Sequence, residues 1–106
     1  MKNDYLNLKN KNILLTGCNG YVGRAITNKL VNFGANVIGT DIKKQSPNSK
    51  LKKFIKADLS DKIQVVEFIN YLKKNLNKID GLINNAGYVG TSKIEAKNFD
   101  KIFYNE

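Results

Sequence analysis

Between Asn12 and Gly23 the sequence Asn-Ile-Leu-Leu-Thr-Gly-Cys-Asn-Gly-Tyr-Val-Gly passes from a short apolar run to glycines at every third position. Ile13 to Thr16 reads as a strand buried on both faces. A helical pattern then starts at once over Tyr21 to Phe33, with Val22, Ile26, Leu30 and Phe33 spaced as one apolar stripe. Gly34 falls where a C-cap glycine belongs. A glycine turn between strand and helix brings backbone N–H groups together at a helix N-terminus, where the orphan donors and the helix dipole both favour an anion. Each glycine has its own expected task. Gly17 permits the tight turn, Gly20 lets the backbone approach a pyrophosphate, and Gly23 lets the helix pack closely. Flanked by strand and helix, the triplet points to a nucleotide. Cys18, Asn19, Tyr21 and Val22 fill the turn and count with the glycines as candidate binding positions. Cys18 is expected to be a small loop residue, since no base is at hand to activate it.

The rest of the chain repeats the alternation. Asn36 to Asp41 is a second strand and 42–50 a loop holding the only proline, Pro47. Phe54-Ile55 anchors a third strand ending near Asp58. Ser60 or Asp61 can cap the next helix, along which Val65/Val66, Ile69, Leu72 and Leu76 recur at helical spacing while Lys62, Lys73 and Lys74 face water. Asp80 to Asn84 is a fourth strand, followed by a loop around 87–92 and the opening of another helix over Asn98 to Tyr104. Met1 to Lys11 is a polar leader, with the dinucleotide-binding region running over 12–106. Strands alternating with helices or short crossovers imply right-handed parallel βαβ units layered around a sheet. Ligands of such sheets sit beyond the carboxyl ends of the strands, and Gly17, Gly20, Asp41, Asp58, Asn84 and Gly87 all fall there. Asp41 ends the second strand 18 residues after Gly23. A carboxylate there can accept both ribose hydroxyls of NAD and repel the 2′-phosphate of NADP. Lys43 and Lys44 close by could instead pair with that phosphate.

Composition narrows the function further. A chain of 106 residues is one domain or part of one, and hides only ~60–70% of its unfolded surface. It has no histidine, which removes Ser-His-Asp and Cys-His catalysis and most metal sites. The net charge of +9 raises nucleic-acid binding as a possibility, but Arg24 is the only arginine and the lysines are spread along the chain beside an equal excess of asparagine. That pattern fits an AT-rich coding bias and a solvated basic surface, because base readout leans on arginine. With one cysteine, no signal-like segment and no membrane-length apolar run, a cytoplasmic protein without nucleic-acid or membrane partners is expected.

The run Thr16-Gly17-x-x-Gly20-x-x-Gly23, with Asp41, Asp58-Leu59 and above all Asn84-Asn85-Ala86-Gly87 after Ile79-Asp80-Gly81-Leu82-Ile83, resembles the short-chain dehydrogenase/reductase family from Lys11 to Glu106. The resemblance implies a doubly wound Rossmann sheet of about four strands in the order 3-2-1-4. It also implies that Asp58 and Leu59 flank the adenine ring, while the backbone of Asn84, Ala86 and Gly87 passes along the cofactor and holds the central strand. By likeness, the parent enzyme is a homo-oligomer that moves a hydride between NAD or NADP and a small alcohol or carbonyl substrate. The middle glycine at 20 follows the family's extended branch, whereas the branch with Asn-Asn-Ala-Gly usually places it one residue later; the mixture resembles sugar-modifying or surface-polysaccharide relatives. The family's serine and Tyr-x-x-x-Lys pair lie downstream of Glu106. Within the chain only Tyr5 and Lys9 match that spacing, far from any strand's carboxyl end, and Tyr88 and Ser92 have no lysine to serve them. The expectation is a cofactor-binding part with no catalytic residues and no activity alone. A sugar-nucleotide epimerase or dehydratase of the extended branch and a non-catalytic nucleotide-binding module stand as alternatives. Strand four would form an apolar open edge prone to self-association.

Overall fold

The computed structural model describes residues 7–44 and 46–86. They form β1 (Asn12–Thr16), α1 (Tyr21–Asn32), β2 (Asn36–Asp41), β3 (Lys53–Lys56), α2 (Lys62–Asn75) and β4 (Gly81–Ile83). The strands make one parallel sheet in the order β3-β2-β1-β4, as expected. Leu14 of β1 lies opposite Ile38 of β2 on one side and Leu82 of β4 on the other, and Thr40 of β2 lies opposite Ile55 of β3.

Alternation along the two central strands sorts the core onto two faces. Ile13, Leu15 and Val37 pack with Cys18 and Ala35 under Ile26, Leu30 and Val31 of α1. Leu14 and Ile38 pack with Ala57 under Phe68 and Leu72 of α2. The helices therefore cover opposite faces, and the architecture is three-layered and doubly wound. Neither helix buries quite the stripe that apolar spacing suggests. In α1 the closest-packed residues are Gly23 and Thr27, and Val22 points to solvent. In α2 they are Phe68 and Leu72, and Val66 and Ile69 are exposed. In α1 the small Gly23 and Thr27 let the helix approach the sheet closely, whereas α2 reaches the sheet through the longer side chains of Phe68 and Leu72.

Local signals at the element ends are mostly as read. Gly34 takes φ +95° just after α1, a conformation that favours glycine. Of the two cap candidates for α2, Asp61 is the cap: its carboxylate accepts from the N–H groups of Ile63 (2.9 Å) and Gln64 (3.4 Å). The leader is not wholly detached. Leu8 packs on the α1-side core, its N–H donates to the Phe33 carbonyl (2.8 Å), and Asn36 N–H donates to the Lys11 carbonyl (2.8 Å). At the same end of the sheet Asp80 fastens β4 to β1, its Oδ2 accepting from Asn12 N–H (2.8 Å) while its own N–H donates to the Asn12 carbonyl (2.8 Å). The crossover between β2 and β3 is a loop, and its Leu51 covers the α1-side core. The expected helix over Asn98 to Tyr104 lies outside the described residues.

Candidate functional site

The glycine turn is shaped by three different constraints. Gly17 sits at φ +65°, and a Cβ there would lie 2.9 Å from Ala86 Cα, so the end of β1 turns away directly against the chain leaving β4. At Gly23 a Cβ would fall on the Gly17 carbonyl oxygen and 2.8 Å from Cys18 Cα. The first turn of α1 thus rests on the backbone of the turn itself. Gly20 differs from both. Its backbone is extended, at φ −72° and ψ 172°, and a Cβ there would meet nothing closer than the Gly17 carbonyl at 3.9 Å. Any side chain could adopt that conformation, so the glycine leaves open room above the helix start. Gly20 is also the N-cap of α1, with no side-chain cap bond and no acidic residue in the first turn. The helix N-terminus keeps its orphan donors and its positive field.

Cys18 lies beneath this surface. It is fully buried, in a space that Gly39 creates: a Cβ on Gly39 would come within 2.7 Å of the Cys18 Sγ. Burial, and after it the charge of Asp41, pushes the thiol up to about 11, so it is no nucleophile at neutral pH. Its N–H donates to the Thr40 carbonyl (3.2 Å). Asp41 braces the turn from the front, its Oδ2 accepting from Asn19 N–H (3.0 Å) and its Oδ1 from Ile42 N–H (2.8 Å).

The Asn-Asn-Ala run is tied to the same turn. The buried Thr16 hydroxyl donates to Asn84 Oδ1 (3.1 Å) and accepts from the N–H groups of Asn85 (2.9 Å) and Ala86 (2.8 Å). Asn85 Nδ2 donates to the Gly17 carbonyl (3.1 Å). One hydroxyl thereby locks the ends of β1 and β4 together. Beyond β3, Asp58 Oδ1 accepts from the Ser60 hydroxyl (2.6 Å) and N–H (3.0 Å), and these two bonds, the hydroxyl's first, hold its carboxyl below the usual range. Asp58 N–H in turn donates to Gln64 Oε1 (2.8 Å) at the start of α2.

These pieces enclose a cleft of about 560 Å³ at the carboxyl ends of all four strands. Gly17 contributes from β1, Thr40 to Ile42 from β2, Ala57 to Ser60 from β3 and Ala86 from β4. Of the sequence-derived site residues, Gly17, Asp41, Asp58, Leu59 and Ala86 line it. Asn19, Gly20 and Gly23 belong to the adjoining turn, and Tyr21 and Val22, in the first turn of α1, have exposed side chains. Cys18 lies behind the turn, Asn84 is engaged by Thr16, and Gly87, Tyr88 and Ser92 lie outside the described residues. Sequence reading missed Thr40 and Asn48, and it placed Asn85 in the Asn-Asn-Ala-Gly run without giving it a role of its own. Thr40 carried a signal, a hydroxyl beside Asp41 at the carboxyl end of β2. Its hydroxyl is buried beside the cleft with no hydrogen-bond partner among the described residues. Asn48, in a polar loop, carried none.

The cleft fits a dinucleotide on its own chemistry. The vacant room over Gly20 and the uncompensated helix start suit a pyrophosphate, and the Asp41 and Asp58 carboxylates with Leu59 suit a ribose and a flat apolar base. Among the described residues, no helix is long and apolar enough to cross a membrane, and no group of three or more His, Cys, Asp or Glu could hold a metal ion.

Comparison with known proteins bears on the same region. A family model described as short chain dehydrogenase matches residues 11–105. The chain is 38% identical over 87 residues to coniferyl-alcohol dehydrogenase of Pseudomonas sp. (strain HR199 / DSM 7063), covering 82% of this chain and 32% of that protein. It is 36% identical over 87 residues to sorbitol-6-phosphate 2-dehydrogenase of Klebsiella pneumoniae, covering 80% and 33%. Among solved structures, an NADH-dependent reductase A1-R′ complexed with NAD superposes with a TM-score of 0.70 at 25% identity, covering 92% of this chain and 46% of the other. The chain thus spans about a third of the length of the curated relatives it matches.

Proposed function

Because the chain belongs to the short-chain dehydrogenase family, we propose that it is the dinucleotide-binding portion of an oxidoreductase that moves a hydride between a nicotinamide and an alcohol or carbonyl substrate. The observation that carries this reading is the convergence of all four strand ends on one cleft, with Gly17 of the glycine turn, Asp41 and Asp58 all in its lining. The N–H groups at the start of α1, from Gly20 to Gly23, hold the pyrophosphate. Asp41 takes the ribose, Asp58 and Leu59 flank the adenine, and Ala86 lies along the cofactor's length. When bound, the nicotinamide supplies the hydride chemistry, and the protein orients it.

Asp41 favours NAD over NADP, because its carboxylate repels a 2′-phosphate at the same place. The named relatives act on a coniferyl alcohol and a sorbitol phosphate, and a substrate bearing an oxidisable hydroxyl fits this chain in the same way. The one Tyr-x-x-x-Lys spacing in the sequence is Tyr5 and Lys9, ahead of β1, and this chain by itself is expected to bind cofactor without turnover. Calorimetric titration of the chain with NAD and with NADP tests the reading. NAD is expected to bind at least about tenfold more tightly, a difference of ~1.4 kcal/mol. Equal affinities would remove Asp41 from the discriminating role and turn attention to Lys43 and Lys44. No binding of either would remove the reading itself.

A further inference from the structure

We propose that Asn48 is a positioning residue for the glycine turn: from the β2–β3 crossover, without entering the cleft, it holds the turn in the shape that presents its N–H groups to a pyrophosphate. The inference rests on the reading of the cleft as a dinucleotide site.

A turn with glycines at 17, 20 and 23 has more backbone freedom to lose than any other segment of its length. Two of its N–H groups are already engaged, Cys18 by the Thr40 carbonyl and Asn19 by Asp41, which leaves those at the start of α1 for an anion. Such a segment binds well only if something else has already fixed it. Asn48 is 6% exposed, and its Nδ2 makes two bonds, donating to the Cys18 carbonyl (3.2 Å) and to Thr27 Oγ1 (2.9 Å). The Thr27 hydroxyl passes the grip on, donating to the Gly23 carbonyl (2.9 Å). One amide nitrogen therefore ties the start of the turn to its end, from the buried side. The same loop takes hold a second time. Asn48 N–H donates to Ser46 Oγ (3.1 Å), and Ser46 Oγ donates to Asn19 Oδ1. Consecutive residues of the turn are held by consecutive polar groups of the crossover, and the ligand-facing side is left clear.

The test uses the full 106-residue chain, Asn48→Ala and Asn48→Ser, and two probes, NAD and adenosine. Adenosine lacks phosphates and engages only the Asp41–Asp58 side. The expected result is that Asn48→Ala raises the Kd for NAD about tenfold or more and leaves that for adenosine within about twofold. In the ligand-free chain the amides of Cys18 to Gly23 should exchange faster while the Leu14 and Ile38 amides keep their protection. Asn48→Ser, which restores one donor, should recover part of both effects. If Asn48→Ala fails to fold, the Asn48→Ser chain with the same two probes decides the matter. An equal loss for NAD and adenosine would make Asn48 merely structural and overturn the proposal, as would unchanged NAD binding in a variant whose wild type binds NAD. A wild-type chain that binds NAD no better than adenosine would instead overturn the reading of the turn, and the proposal with it.

Discussion

Gly20 and Gly23 are the same residue type three positions apart, and the structure gives them opposite reasons to be glycine. A side chain at 20 has room and an ordinary backbone conformation, so Gly20→Val should cost no more than ~1 kcal/mol of stability, through the poorer cap. It should nevertheless abolish dinucleotide binding, because it fills the space above the helix start. A side chain at 23 collides with backbone at Gly17 and Cys18, and Gly23→Ala should destabilise the fold by ~1–3 kcal/mol or more. Thermal unfolding and NAD titration of the two variants separate these roles; a Gly20→Val chain that still binds would make the turn structural only. Asp80 offers a different residue-scale test. The Asn12 N–H holds its carboxyl below the usual range, with Lys78 (3.2 Å) adding to the effect. Its folded pKa is lower than its unfolded value of about 3.9. The native state therefore binds fewer protons as acid is approached, and the stabilisation, complete above the unfolded pKa, is lost as pH falls through the folded one. Denaturant unfolding should find Asp80→Asn less stable than wild type at pH 7, with the gap closing towards pH 2. A gap independent of pH would assign the effect to shape rather than charge.

At the scale of elements, the strand and helix positions could be read from the sequence because each follows from short-range causes: apolar runs for β1 and β2, caps at Gly34 and Asp61, alternation for the parallel sheet. Which face each helix buries could not. It depends on which side chains reach the sheet, in α1 Gly23 and Thr27 rather than Val22, in α2 Phe68 and Leu72 rather than Val66 and Ile69. The same limit affects β4. Its sequence is apolar throughout, yet Ile83 packs on the α1-side core whereas Leu82 is 62% exposed. A charge meant to discourage edge-to-edge pairing of isolated chains belongs at Leu82, where it is solvated. Leu82→Lys should lower self-association of the 106-residue chain in sedimentation at unchanged helicity, and Ile83→Lys should unfold it. Equal association of wild type and Leu82→Lys would place any contact elsewhere.

For the molecule as a whole, the site was legible where chemistry coincides with topology. Gly17, Asp41, Asp58, Leu59 and Ala86 stand at strand ends, so an alternating strand pattern is enough to bring them together. The residues that hold the site in shape were not legible. Asn85 on the Gly17 carbonyl and Asn48 under the turn act across separations in the chain that no local pattern encodes, although Asn85 stands in a run that could be read. The central claim is that these strand ends make one dinucleotide cleft. It is tested most directly by following the backbone amides of the 106-residue chain by nuclear magnetic resonance while NAD is added. The account predicts saturable shifts at Gly17, Gly20, Asp41, Asp58, Leu59 and Ala86, with Asn12, Lys53 and Asp80 at the opposite end of the sheet unmoved. Shifts centred on that opposite end, or none at saturating NAD, would contradict it.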